Sequence, residues 1–71
     1  MNKYYITFGQ SHVHRVNDIT FDCDSVACIR AVDEGAARAI AFDLFGSKWF
    51  TSYTEETINL KYFPRGVFNV N

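Results

Sequence analysis

Hydrophobic and polar residues alternate in four parts of the chain and recur with helical spacing in another. The alternation predicts four strands, at residues 3–8, 25–32, 48–54 and 58–63. Residues 33–46 carry apolar side chains every three or four positions, which predicts a helix. Asp33 is a suitable N-terminal cap for this helix, and Gly46 is a suitable C-terminal cap. Residues 19–21 and 67–70 are candidates for short additional strands.

The order of these elements predicts an α+β fold with the arrangement β-β-α-β-β. We expect a two-layer sandwich, in which a four-stranded antiparallel sheet carries one helix on one face. Ala27, Ile29 and Ala31 are expected to face the helix, because small side chains let it approach the sheet. The other face is expected to stay uncovered, and it would carry Tyr5, Thr7, Cys28 and Arg30.

The composition indicates one small globular domain, residues 1–71, with an unusual share of aromatic residues. Hydrophobic residues make up 48% of the 71 residues, and aromatic residues make up 17%. A small domain gains burial from such large side chains, but one small core does not absorb all of these rings. Some aromatic surface should therefore be exposed. Phe42 lies on the flank of the predicted helix stripe, where we expect it to be half covered.

Charge and targeting features exclude several classes of protein. The formal net charge is -1, whereas a dedicated nucleic-acid binder is normally basic, so we expect no direct binding of nucleic acid. The chain shows neither a signal peptide nor an apolar run long enough to span a bilayer. We therefore expect no contact with membranes, a cytoplasmic location, and no disulfide between Cys23 and Cys28.

The histidines at positions 12 and 14 are the first candidate for chemistry. In an extended chain His12 and His14 project to the same side, and Asp22, Cys23 and Asp24 could complete a metal site. The spacing is unlike that of zinc sites, so we expect no bound metal or other cofactor, and a metal-binding structural module remains an alternative. The same run resembles the histidine-triad nucleotide hydrolases, but Val16 stands where that family has its nucleophilic histidine. We therefore expect no enzymatic activity.

Two charged segments are the other candidates for binding. Asp22 and Asp24 belong to an acidic loop that could dock on a basic groove of a partner. Arg65 is presented in a turn between Pro64 and Gly66, where it could meet a carboxylate or a phosphate. One alternative function follows, a nucleotide or small-ligand sponge that uses exposed tyrosines together with His12, His14, Arg15 and Arg65.

Several segments in order resemble small uncharacterised proteins encoded by bacteriophages and prophages. The matching segments are residues 3–10 with the following His-x-His, Ala36 to Arg38 with Phe45-Gly46, Lys48-Trp49, residues 53–56 and residues 62–66. The resemblance implies a non-enzymatic protein that docks on a bacterial host protein and inhibits it. The partner would be a defence complex in an anti-defence, or anti-CRISPR-like, role, and a homodimer is left open. The contact residues we expect are Tyr5, Arg30, Phe42, Arg65, His12, His14, Asp22 and Asp24.

Overall fold

A computed structural model describes residues 1–9, 13–16, 18–47 and 49–71 of the chain. It contains six strands, one α-helix and one short 3₁₀ helix. In chain order these are β1 Asn2–Thr7, β2 His14–Val16, β3 Ile19–Phe21, β4 Ser25–Ala31, α1 Glu34–Phe45, β5 Thr51–Thr54, the 3₁₀ helix Leu60–Tyr62 and β6 Gly66–Asn69.

The main sheet has four strands in the order β5-β1-β4-β6, and β2 and β3 form a separate two-stranded sheet. Strand β1 pairs antiparallel with both β4 and β5, whereas β6 pairs parallel with β4. The α+β class and the four-stranded sheet with one helix are confirmed. The expectation of a purely antiparallel sheet is wrong, because the chain returns across the sheet before β6 and enters it in the direction of β4.

The prediction of a fourth strand at residues 58–63 is wrong, because this segment forms local hydrogen bonds instead of a ladder. The Asn59 side chain accepts from the Lys61 N–H at 3.1 Å and caps the 3₁₀ helix. Just before it, the Thr57 hydroxyl accepts from the Thr54 N–H at 2.9 Å. Such side-chain bonds compete directly with strand pairing. The fourth strand of the sheet is β6, which lies in the segment considered only as a short addition.

The helix α1 begins and ends where its capping residues predict. The Asp33 carboxylate accepts from the Ala36 N–H at 2.8 Å, and the Gly46 N–H donates to the Phe42 carbonyl at 2.9 Å. Gly46 has φ +64°, a conformation that glycine adopts more easily than other residues. The buried side of the helix packs on the small side chains expected to face it, in a cluster that includes Ala27, Ile29, Ala31, Ala37, Ala41 and Phe45.

Replacing the N-terminal cap should weaken the fold measurably. We expect Asp33→Ala to lower the free energy of unfolding by about 0.5–2 kcal/mol, because the Ala36 N–H loses its acceptor. Urea denaturation followed by circular dichroism measures this change. Asp33→Asn is the control, since it keeps an acceptor oxygen and should cost less. Equal stability of Asp33→Ala and the unmodified chain would show that the cap contributes nothing.

The face of the sheet opposite α1 is partly closed, which corrects the expectation that it is uncovered. Thr7 and Cys28 are only 3% and 2% exposed, and Val26 on the same face is fully buried. The connections from β4 to β5 and from β5 to β6 both join parallel strands, and they cross the sheet in opposite directions. Parallel crossovers are nearly always right-handed, so these two lie on opposite faces. We infer that residues 55–65 cross the face that α1 leaves open.

Candidate functional site

An aromatic and cationic surface lies where α1 approaches the start of β5. Trp49 is 8% exposed, and its ring meets the Phe42 ring edge to face at a centroid distance of 5.3 Å. The Arg38 guanidinium lies 5.0 Å from the centroid of the same indole, a cation–π geometry. Arg38 and Phe42 are four residues apart on the helix, so they share one side of it. We use the name Trp49 surface for Arg38, Phe42 and Trp49, which contact one another, together with Phe50, the next residue of the chain.

Phe50 directly follows Trp49 and leaves the core. Its main-chain N–H donates to the Thr7 carbonyl at 2.8 Å, which fixes the segment against β1. Its side chain is 68% exposed, and that of Phe42 is 52% exposed. Gly9 has φ +65°, and a Cβ placed on it would approach the Phe50 Cβ to 3.4 Å. The expectation that aromatic surface is exposed and that Phe42 is half covered is therefore confirmed.

Two buried polar groups near this surface have no partner in the described part of the chain. They are the Trp49 Nε1 and the Ser52 Oγ. Buried polar groups are nearly always hydrogen-bonded, and an unpaired one costs about 1–3 kcal/mol. The segment from Trp49 to Ser52 thus keeps hydrogen-bonding groups that the described fold does not use.

On the opposite sheet face, Tyr5 is half-buried and already engaged. Its hydroxyl donates to Glu55 Oε1 at 3.4 Å, and Lys3 Nζ lies 3.9 Å from the same oxygen. Partial burial raises the pKa of the Tyr5 hydroxyl, and the nearby Cys28 and Glu55 raise it further. Burial also raises the pKa of the Cys28 thiol, which keeps the thiol protonated at neutral pH. Tyr5 therefore connects β1 to the turn after β5.

Arg30 is exposed, as its position on the sheet predicts, but its guanidinium is held by the end of the chain. Arg30 Nη2 donates to the main-chain oxygen of Asn71 at 2.7 Å. The Asn71 side chain in turn bonds both the N–H and the C=O of Arg30 at 2.9 Å, so it extends the pairing beyond β6. An open groove of about 520 Å³ lies beside these residues, with Val32 and Ile40 in its wall. Its lining contains no ring that could stack on a base.

The structure brings Arg65 together with the acidic turn at residues 22–24. Arg65 Nη1 lies 3.4 Å from Asp22 Oδ2, and the Arg65 N–H donates to the Asp24 carbonyl at 2.9 Å. Inside the turn, the Asp24 N–H donates to Asp22 Oδ1 at 2.9 Å. These contacts fasten the start of β6 to the turn between β3 and β4. The opposite charges of Asp22 and Arg65 are therefore paired within the chain.

The same turn holds the metal-ligand candidates that the structure describes. Potential ligand atoms of Asp22, Cys23 and Asp24 all lie within 4.8 Å of one another. Partial desolvation, and then the carboxylates of Asp24 and Asp22, raise the pKa of the Cys23 thiol. His12 lies outside the described residues, and for His14 the structure describes main-chain pairing with Phe21. The turn therefore brings three of the expected ligand candidates together, and the metal alternative stays a prediction.

Three members of the Trp49 surface were not among the expected contact residues. These are Arg38, in the predicted helix, and Trp49 and Phe50, in the strand predicted at residues 48–54. A signal was present in the sequence, because adjacent residues of an extended chain point to opposite sides. Of two consecutive large rings after Gly46, one was therefore bound to leave the core.

Fold and surface together define a small α+β protein with a mixed sheet and exposed aromatic side chains. In the described residues, no helix has the length and apolar character needed to cross a membrane. Comparison of the chain with protein-family models, curated proteins and solved structures found no match.

Proposed function

We propose that this chain is a non-enzymatic binding protein that docks on a bacterial host protein and inhibits it. The target would be a defence complex, as the resemblance to phage-encoded proteins implies. The observation that carries the proposal is the exposure of two rings, Phe42 by 52% and Phe50 by 68%, of which the first packs on the buried Trp49 and the second follows Trp49 in the chain. Exposed apolar surface is a common mark of contact sites in soluble proteins.

The exposed rings are not a sign of a loosely folded chain. The accessible surface is 4500 Å², and the 8.2 kDa mass gives about 4,500 Å² for a compact monomer. The chain therefore folds to normal compactness while leaving these two rings outside. Their exposure is a local property of the Trp49 surface, which supports a binding role.

The composition and order of the Trp49 surface suit an interface centre. Trp and Arg are enriched among residues that dominate binding energies. The Arg38 guanidinium is already placed over the indole, and Phe42 is already packed against it. A partner would therefore meet side chains that lose little conformational freedom on binding.

The nucleotide-sponge alternative lacks comparable support. Of the four residues it would use for a phosphate, His12, His14, Arg15 and Arg65, the last already pairs with the Asp22 carboxylate. We therefore propose protein binding alone. Phe42 is the expected contact residue that the geometry favours. The partner-surface roles of the others stay predictions; these are Tyr5, Arg30, Arg65, His12, His14, Asp22 and Asp24.

A complementation assay tests the proposed function directly. The chain would be expressed in bacteria that carry a defined CRISPR or other defence system, and phage plating efficiency would be measured. We expect the unmodified chain to restore plating against at least one system. The double variant Phe42→Ala/Phe50→Ala should lose this effect, because it removes both exposed rings while every buried residue stays in place.

The matched control is Tyr62→Ala, which removes a ring that is 73% exposed but lies outside the Trp49 surface. It should restore plating as well as the unmodified chain does. Failure of the unmodified chain against every system tested would contradict the anti-defence role. Equal activity of the double variant and the control would show that the Trp49 surface is not the contact site.

A further inference from the structure

The two edges of the main sheet differ in how their main-chain groups are used, and the β5 edge is closed. At the end of β5, the Thr54 N–H donates to the Thr57 hydroxyl at 2.9 Å, and the Thr54 carbonyl accepts from the Ile58 N–H at 3.0 Å. The outward-facing groups of Thr54 are therefore occupied by the following turn. Another strand could not pair with them without breaking that turn.

The start of β5 is closed in a second way. Thr7 is the register partner of Thr51, yet its carbonyl also accepts from the Phe50 N–H at 2.8 Å. Two residues of one strand thus oppose one residue of β1, which is the arrangement of a β-bulge. Bulges and short strands are common protections of sheet edges. Within the described residues, Ser52 is left as the one position of β5 with both main-chain groups directed outward.

The β6 edge, by contrast, is open. The Val70 N–H donates to the Cys28 carbonyl at 3.2 Å, and together with the parallel register this shows which residues of β6 bond to β4. Every second residue of β6 then bonds to β4, and the N–H and C=O of Val67 and Asn69 point away from it. In the chain as far as it is described, those four groups have no hydrogen-bond partner. Strand β6 also contains no proline and no charged residue.

We propose that β6 pairs antiparallel with β6 of a second copy, which joins the two four-stranded sheets into one continuous sheet. A two-fold axis perpendicular to the sheet passes beside Phe68 and places Val67 opposite the partner's Asn69. Each of the two equivalent pairs exchanges both N–H···O=C bonds, so all the open groups of the edge are used. The axis keeps the helix of each copy on the same side of the joined sheet.

The side chains of β6 fit this pairing. Phe68 is half-buried and meets Phe21 at a centroid distance of 5.8 Å, on the face that carries α1. The two-fold axis sets it directly against the partner's Phe68, and aromatic cross-strand pairs are favourable. Gly66 lies opposite the partner's Val70 and leaves room for its side chain. The strand is uncharged, so pairing two copies opposes no like charges within it.

The test is the mass of the purified chain in solution from low micromolar to millimolar concentration, by sedimentation or light scattering. We expect the mass to rise from 8.2 kDa towards twice that value. Asn69→Pro removes one outward N–H and spares the bonds to β4, since proline is tolerated where an edge N–H faces solvent. It should weaken association at least about tenfold, the effect of losing roughly 1.4 kcal/mol. Asn69→Ala keeps the N–H and should associate like the unmodified chain.

A second measurement needs no variant. Amide hydrogen exchange of Val67 and Asn69 should slow as the concentration rises, because pairing protects their outward N–H groups. If Asn69→Pro does not fold, as judged by circular dichroism, this measurement decides alone. An unmodified chain that stays at 8.2 kDa, unchanged exchange at these two amides, or equal association of the Pro and Ala variants would each overturn the proposal.

The dimer is independent of the proposed docking function, since the Trp49 surface contributes nothing to it. The double variant Phe42→Ala/Phe50→Ala should therefore associate as the unmodified chain does. Loss of association in that variant would place the contact at the Trp49 surface and overturn pairing through β6.

Discussion

Phe21→Ala is expected to lower the free energy of unfolding by about 3–5 kcal/mol. Phe21 is fully buried, and its ring lies 5.3 Å from that of Phe8 and 5.4 Å from that of Phe45. It also meets Phe68, so this one ring of β3 contacts α1, β6 and the residue that follows β1. The residues that would have to fill the cavity belong to separate elements that are each held by hydrogen bonds. The site should therefore collapse poorly after truncation.

This loss is large against the stability available to a chain of 71 residues. At 0.05–0.15 kcal/mol per residue, the total would be about 4–11 kcal/mol. In a domain of this size, each kcal/mol lowers the thermal midpoint by about 4–8 °C, so we expect a fall of at least about 12 °C. Thermal unfolding followed by far-ultraviolet circular dichroism measures it.

Val13→Ala is the matched control for this experiment, because Val13 precedes the same hairpin and is 67% exposed. Its stability should stay within about 0.5 kcal/mol of the unmodified chain. A loss below about 1 kcal/mol for Phe21→Ala would contradict docking of the β2–β3 hairpin on the core.

The parts of the fold that could be predicted from the sequence are those specified by local patterns. Strands β1 and β4 are rich in aromatic, β-branched and small apolar residues, and α1 has an apolar stripe between two capping residues. The prediction that Ala27, Ile29 and Ala31 of β4 face the helix is confirmed. It follows from a contrast within one strand, between small apolar side chains on one side and Arg30 on the other. Each of these features depends on residues within one element, so no knowledge of the partner elements was needed.

The direction of β6 and the path of residues 55–65 could not be read in this way. Alternation over residues 58–63 satisfies a strand pattern, but strand formation also requires a free neighbouring strand. Both inner strands already have two neighbours in the sheet, and the segment lies in the crossover between its edges. The bonds of Thr57 and Asn59 then favour a turn and a 3₁₀ helix. The course of this crossover depends on the whole chain. We infer that it covers the sheet face on which Thr7 and Cys28 are buried.

The candidate site was predictable in part for the same reason. Exposure of Phe42 follows from its position on the helix flank. The contact of Arg38 and Phe42 with Trp49 depends on how the segment after Gly46 returns towards β1, which no local pattern specifies. The pairing of Arg65 with Asp22 joins residues 43 positions apart and was equally invisible.

Trp49→Ala is expected to lower the free energy of unfolding by about 3–5 kcal/mol, and Trp49→Phe by less than about 1.5 kcal/mol. The indole is 8% exposed and packs against Phe42 and Arg38, so alanine would remove the centre of this cluster. Phenylalanine keeps an aromatic ring there and deletes the Nε1 donor. Because that donor has no partner in the described residues, its removal should offset part of the lost packing.

Urea denaturation of both variants is best followed by circular dichroism, because Trp49 is the one tryptophan of the chain and its fluorescence disappears with it. Trp49→Tyr is a second comparison, since tyrosine has the same six-membered ring as phenylalanine but adds a polar hydroxyl group. If Nε1 is unpaired, the Phe variant should be at least as stable as the Tyr variant. If Trp49→Phe costs as much as Trp49→Ala, the Nε1 donor is paired in solution, and the indole has no unused donor for a partner to meet.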